Sequence, residues 1–155
     1  VRYEGYAPHG VAVMVDCLTD NKNRTAGDVR STFTKRGGNL GTDGSVSYMF
    51  DRKGIIVLPK TYDEDMLMTL ALDNDCLDFV VNDDSYEIYT SYEDFIKMNN
   101  VLNENNITEF IMNETRYIPQ NYISLNDEDK EKIYNLIETL EDLDDVQDVY
   151  HNMEE

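Results

Sequence analysis

The order of apolar runs predicts a mixed α/β (α+β) protein, a ferredoxin-like βαββαβ outer domain with a smaller αββαβ domain inserted into it. Three observations predict it. Short stretches with period-two alternation of Val, Ile and Tyr are interleaved with stretches whose apolar residues recur at three and four. The composition turns acidic after Pro59. The clearest helical stripe, followed by a last β-branched run, arrives only after Pro119. Removing the middle block leaves the split βαβ order. The expected outer domain therefore spans 1–58 plus 120–155, and the insert spans 59–119.

Each element has its own signal. Gly10 to Thr19 reads as a buried strand, with Val11, Val13, Val15 and Cys17 on one face. Thr25-Ala26-Gly27-Asp28 resembles a capping box, Ala26, Val29 and Phe33 follow at helical spacing, and Gly37 is a natural stop. The glycine-rich loop Gly37–Gly44 leads to an alternating strand at Val46, Tyr48 and Phe50, and Ile55 to Leu58 reads as a fully buried strand. Asp63 to Asp73 predicts a helix with Met66, Leu67, Leu70 and Ala71 inward. Leu77 to Val81 and Tyr86 to Thr90 read as a strand pair around the turn Asp83-Asp84-Ser85. Ser91 opens a helix carrying Phe95, Met98 and Leu102, and Glu109 to Tyr117 is the next strand. Asn126 to Leu140 carries Ile133, Leu136, Ile137 and Leu140 at i, i+3, i+4 and i+7, and Val146 to His151 closes the fold as a strand.

Charge narrows the partners. Thirteen basic residues face thirty-two acidic ones, for a net of −19 over 155 residues. The balance is uneven along the chain: residues 1–60 carry +3, which leaves −22 for residues 61–155. A polyanion is repelled by the second part, so any nucleic-acid contact is expected in the first third, and the acidic segment is expected to face water or basic proteins. Cys17 and Cys76 are far apart and form no C-x-x-C motif. No apolar run approaches the ~20 residues of a membrane span, and the expected location is the cytoplasm, without membrane contact. The start at Val1 rather than Met hints that an upstream part is absent.

The search for chemistry returns little. The loop Gly38-Asn39-Leu40-Gly41-Thr42-Asp43-Gly44 lacks the Gly-Lys-Ser/Thr and following helix of a phosphate loop, and also the spacing of a dinucleotide fingerprint. Two readings stay open for it: a tight connection needing positive φ, or backbone-mediated binding. Asp73, Asp75 and Asp78 begin like a calcium loop, but Leu77 and Asp78 break the pattern. Glu138, Glu141, Asp142, Asp144 and Asp145 form an acidic cluster that opposes the dipole of the last helix, and it reads either as a solvated surface or as a weak Mg²⁺ or basic-protein contact. His9 and His151 are the only histidines, neither cysteine has a neighbouring base, and no Gly-x-Ser-x-Gly elbow exists. The expectation is a protein that is not an enzyme, with no catalytic residues, no metal and no cofactor.

The basic minority is more informative. Lys22 and Arg24 precede the first helix, Arg30 lies on it, and Lys35 and Arg36 close it. They read either as charges suited to a helix C-terminus, for the last pair, or as a ridge beside the glycine loop that, with Asn39, touches RNA or DNA phosphate. Five cations are few for tight binding. An RNA-recognition motif is excluded because Lys53-Gly54-Ile55-Ile56-Val57 carries aliphatics where stacking aromatics belong.

Four stretches carry a resemblance. Tyr3-Glu4-Gly5-Tyr6-Ala7-Pro8-His9-Gly10, Leu18-Thr19-Asp20-Asn21-Lys22-Asn23-Arg24-Thr25, Gly37-Gly38-Asn39-Leu40-Gly41-Thr42-Asp43-Gly44-Ser45-Val46 and the run from Leu140 to Tyr150 resemble the YebC/PmpR family. Its eukaryotic relatives include a mitochondrial translational activator of cytochrome c oxidase. The resemblance runs end to end, with Ala7 where the family pattern has glycine. It implies two nested α/β units, an N-terminal helical basic domain that this chain lacks, and a non-enzymatic role in gene expression. That role is either a ribosome- or RNA-associated translation factor or a regulator that binds promoter DNA. The acidity of residues 61–155 favours the ribosome, where basic proteins are available.

Overall fold

The computed structural model describes residues 1–155, which form two compact units: Val1–Asp51 with Ile118–Glu155, and Arg52–Tyr117. The elements are β1 (Arg2–Tyr6), β2 (Ala12–Cys17), α1 (Lys22–Lys35), β3 (Asn39–Leu40), β4 (Phe50–Pro59), α2 (Glu64–Asp73), β5 (Asp78–Val81), β6 (Ser85–Ser91), α3 (Phe95–Glu104), β7 (Met112–Pro119), α4 (Asp127–Glu141) and β8 (Val146–His151). The mixed α/β class is as expected. The outer unit ends sooner than expected, because residues 52–58 belong to the second unit.

The outer unit has one sheet, in the order β3-β1-β2-β8. β1 is antiparallel to both β2 and β3, and β2 is antiparallel to β8. β2 and β3 are therefore parallel, joined by α1, with β1 between them. That is a split βαβ, but its middle strand comes from the start of the chain, so the strand sequence is ββαβ–αβ instead of βαββαβ. Val46–Phe50 is not a strand of this sheet. Ser47–Met49 is a single 3-10 turn with Tyr48 exposed, and Phe50 already opens β4.

The core of this unit lies on one face of the sheet. Val11, Val13, Val15 and Cys17 from β2 and its approach meet Val29 and Phe33 of α1 and Ile133, Leu136, Ile137 and Leu140 of α4. Burying each such aliphatic side chain stabilises by about 1.5–3 kcal/mol. The helical stripe of α4 is buried at all four expected positions. Asn126 caps α4 by accepting from the Asp129 N–H at 2.8 Å.

The second unit has the sheet order β5-β6-β4-β7. β4 and β5 both run antiparallel to β6. Ile56 and Leu58 of β4 and Tyr86 and Ile88 of β6 pack with Leu67 and Ala71 of α2 and Met98 and Leu102 of α3. β4 is not fully buried: Val57 lies on its partly exposed side. Met66, expected inward, is exposed, since Leu67 and Ala71 already fill the contact face of α2. Asp63 caps α2 by accepting from the Met66 N–H at 2.9 Å.

Candidate nucleic-acid interface

α1 begins four residues earlier than its capping-box pattern suggests. Asn21 is the cap and accepts from the Arg24 N–H at 3.1 Å. Thr25 lies inside the helix and is buried; its hydroxyl donates to Asp145 at 2.7 Å. Gly37 ends the helix with φ 81°, a conformation that favours glycine.

All six sequence-predicted contact residues, Lys22, Arg24, Arg30, Lys35, Arg36 and Asn39, are exposed. The helix does not gather them into one ridge. At 3.6 residues per turn, Arg30 lies about 120° round from Arg24, and Lys22 and Lys35 stand at opposite ends of the helix. Arg24 is engaged: its guanidinium reaches Asp145 at 3.1 Å and Asp20 at 3.2 Å. The Thr25 hydroxyl and then the Arg24 guanidinium hold the Asp145 carboxyl below the usual carboxylate range. Asp145 thus stands at the N-terminal turn of α1, where the helix dipole favours an anion. The acidic cluster is in this respect a helix anchor and not only a solvated surface.

The other end of α1 is different. Lys35 and Arg36 meet Lys132 and Asn135 of α4 around a shallow cleft of ≈ 210 Å³. α1 and α4 are antiparallel, so the closing turn of α1 lies beside the first half of α4, while Arg24 and Thr25 lie beside the loop after it. No motif in the sequence points to Lys132. It sits in an acidic run almost a hundred residues beyond Arg36, and only the scarcity of bases after Pro119 (Lys130 and Lys132) marks it.

The glycine-rich loop has an internal anion. Glu4, on β1, is buried, and its carboxylate accepts from the backbone N–H groups of Gly44 at 2.7 Å, Val46 at 3.1 Å and Ser47 at 2.6 Å. The Glu4 carbonyl also accepts from the Gly41 N–H at 2.7 Å. Burial alone would raise the carboxyl pKa; these N–H groups and the Ser47 hydroxyl outweigh it and hold the group below its ordinary value. The N–H groups of Gly38, Gly41, Gly44, Ser45, Val46 and Ser47, which backbone-mediated binding would draw on, are already used. Asn39, in β3, pairs with Tyr6 at the edge of the sheet.

Folding also redistributes the charge. The outer unit holds eight basic and eighteen acidic residues, a net of −10, and the second unit five and fourteen, a net of −9. The positive opening segment shares its unit with the acidic residues 118–155, so the asymmetry along the sequence does not become one between units. No three His, Cys, Asp or Glu side chains converge as a metal site requires, and no helix is long and apolar enough to cross a membrane.

The fold and these residues define a class: a nested two-unit α+β protein with a small basic cleft on an acidic surface. Residues 1–153 match the family model described as the second and third domain of TACO1/YebC. A "Probable transcriptional regulatory protein" of Geobacillus kaustophilus is 51% identical over 158 residues, covering 100% of this chain and 64% of that protein. One from Borrelia garinii is 53% identical over 155 residues, covering 99% and 63%. The crystal structure of a conserved hypothetical protein from Aquifex aeolicus superposes with a TM-score of 0.83 at 41% identity, covering 99% of this chain and 64% of that one. The chain belongs to the TACO1/YebC family. It spans somewhat under two thirds of the length of these relatives.

Proposed function

We propose that this protein is a non-enzymatic regulator of gene expression that acts in the cytoplasm as a ribosome- or RNA-associated translation factor. The cleft formed by Lys35, Arg36 and Lys132 is the observation that carries the reading, because it is a place where cations from two helices converge on an otherwise acidic unit. Phosphate attracts such a group, and counterion release makes the contact salt-dependent. Lys22, Arg30 and Asn39 are accessory contacts. Arg24 contributes less, since Asp145 and Asp20 already neutralise it. The net charges of both units disfavour long duplex contacts and suit a site that also offers basic proteins.

Promoter DNA is the second reading, favoured by the printed names of the relatives as transcriptional regulatory proteins. Cosedimentation with ribosomes at low and high salt separates the two. Pelleting at low salt that is lost with Lys35→Glu/Arg36→Glu is the expected result. No pelleting, together with a DNA mobility shift that survives competitor DNA, would replace the first reading by the second.

A further inference from the structure

In the second unit two hollows form an interrupted groove along α3 where it faces β7 and the loop before it, and β7 is an edge strand of its sheet. At one end the Arg52 guanidinium lies over the Tyr92 ring, 4.1 Å from its centroid, and Arg52, Tyr92, Phe95, Ile96 and Thr115 line a hollow of ≈ 460 Å³. In the middle, the Asn113 side-chain amide donates to Asn99 Oδ1 at 2.6 Å and ties β7 to α3. At the far end Asn100, Asn103 and Thr108 line a second hollow of ≈ 350 Å³.

Three features select an occupant. An edge strand presents backbone donors and acceptors to any extended chain laid beside it. The Asn100 and Asn103 side chains offer donors and acceptors without charge, which matches peptide amides. Ile96 is 71% exposed and Tyr92 46%, so Ile96 and the part of the Tyr92 ring that Arg52 leaves open stand together at one end, ready to receive an apolar side chain. The electrostatics set the sign. The unit carries −9; Glu93 and Arg52 offset each other in the first hollow, and Glu104 and Glu109 are exposed on α3 and the loop after it. A nucleic-acid backbone is repelled there, whereas a cationic peptide is attracted.

We propose that the groove between α3 and β7 captures an extended, lysine- or arginine-rich segment of a partner protein, added to β7 as a further strand with one apolar side chain against Tyr92 and Ile96. This deepens the partner-protein side of the function proposed above and rests on that reading for the partner's setting alone.

The test uses the whole chain and a fluorescein-labelled octapeptide of alternating lysine and valine with one central phenylalanine, read by anisotropy and by amide shifts of the ¹⁵N-labelled protein. Binding should shift the amides of Met112–Thr115 and Tyr92–Asn103. Ile96→Ala and Tyr92→Ala, both at exposed positions, should each weaken it about tenfold. The glutamate–valine counterpart should not bind. Shifts located elsewhere, or affinities untouched by both substitutions, overturn the proposal. So does a twelve-residue oligouridylate that moves the same amides more strongly, because the groove would then be a nucleic-acid site. If either alanine variant unfolds, Asn103→Ala takes its place. Lys35→Glu/Arg36→Glu should leave peptide binding intact while abolishing ribosome pelleting, so failure here and failure of the proposed function are distinguishable.

Discussion

At the scale of single residues, Glu4 determines more local structure than any other charged group. Its carboxylate takes three backbone N–H bonds from the Gly44–Ser47 segment, so a loop that looks like a receptor for an external anion is closed by an internal one. Glu4→Gln keeps one acceptor oxygen but turns an amide NH₂ towards those N–H groups. Leaving them unsatisfied should cost roughly 3 kcal/mol, read as a fall in the urea midpoint at unchanged slope. The pH dependence follows from the lowered pKa. In the unfolded chain the carboxyl protonates near its ordinary pKa of about 4.3, while in the folded chain it protonates only at lower pH. The stabilisation is complete above the unfolded pKa and is lost as pH falls through the folded one. Thermal melts of the wild type should therefore lose Tm on acidification below about pH 4, and Glu4→Gln should lose less over the same interval.

Gly38 is a second residue-scale constraint. A Cβ there would run into the Tyr6 carbonyl and approach Ala7 Cα and Phe33 Cδ1 at 3.3 Å. Since two of these are backbone, Gly38→Ala should destabilise by about 1–3 kcal/mol, measured by denaturant unfolding, whereas Gly27→Ala meets nothing within 4 Å and should gain about 0.5–1 kcal/mol of helix propensity.

At the scale of elements, legibility in the sequence follows from how each element is stabilised. α4 is readable because its four apolar residues are the ones the core uses. β8 is readable from its β-branched run, and its bounds are as expected. β1 escapes a sequence reading because Arg2-Tyr3-Glu4-Gly5-Tyr6 shows no apolar alternation. Its strand state is imposed by neighbours on both sides, with Arg2 paired to Asp16 at 2.7 Å across the β1–β2 ladder. β3 is two residues long and exists only as a partner for β1. With β1 unseen, the pattern assigns Ile55–Leu58 to the wrong sheet. The six residues expected at the interface are legible as exposed charges and an amide, but their grouping depends on helix phase and on α4. Arg24 and Lys35 lie towards opposite ends of α1 and have opposite surroundings, acidic and basic. Arg24→Glu should accordingly loosen the α1 start and the Asp145 loop, seen as faster hydrogen exchange there, with little change in RNA affinity. Lys132→Glu should weaken RNA binding while leaving that exchange unchanged.

For the whole molecule, charge is the controlling quantity. With −10 on one unit and −9 on the other, and three cations converging at the cleft, this chain has few phosphate contacts to offer. The affinity for single-stranded RNA should vary with salt with a log–log slope between about −2 for the three cleft cations and about −3.5 with the accessory Lys22 and Arg30, from roughly −0.7 per contact. Titration by anisotropy between low and moderate salt checks it, and a much steeper slope would mean that further cations take part.

The nesting of the units also sets an order of maturation. The second unit is one uninterrupted stretch, and its first and last strands, β4 and β7, are neighbours in its sheet. The outer unit starts earlier on the chain yet lacks α4 and β8 until the final residues have been made. During synthesis from the N-terminus, the later-starting unit is thus complete first, while residues 1–51 wait with the valine face of β2 covered by α1 but not by α4. A ribosome-stalled nascent chain released to about Pro119 should yield to limited proteolysis at its beginning and resist it from β4 onward.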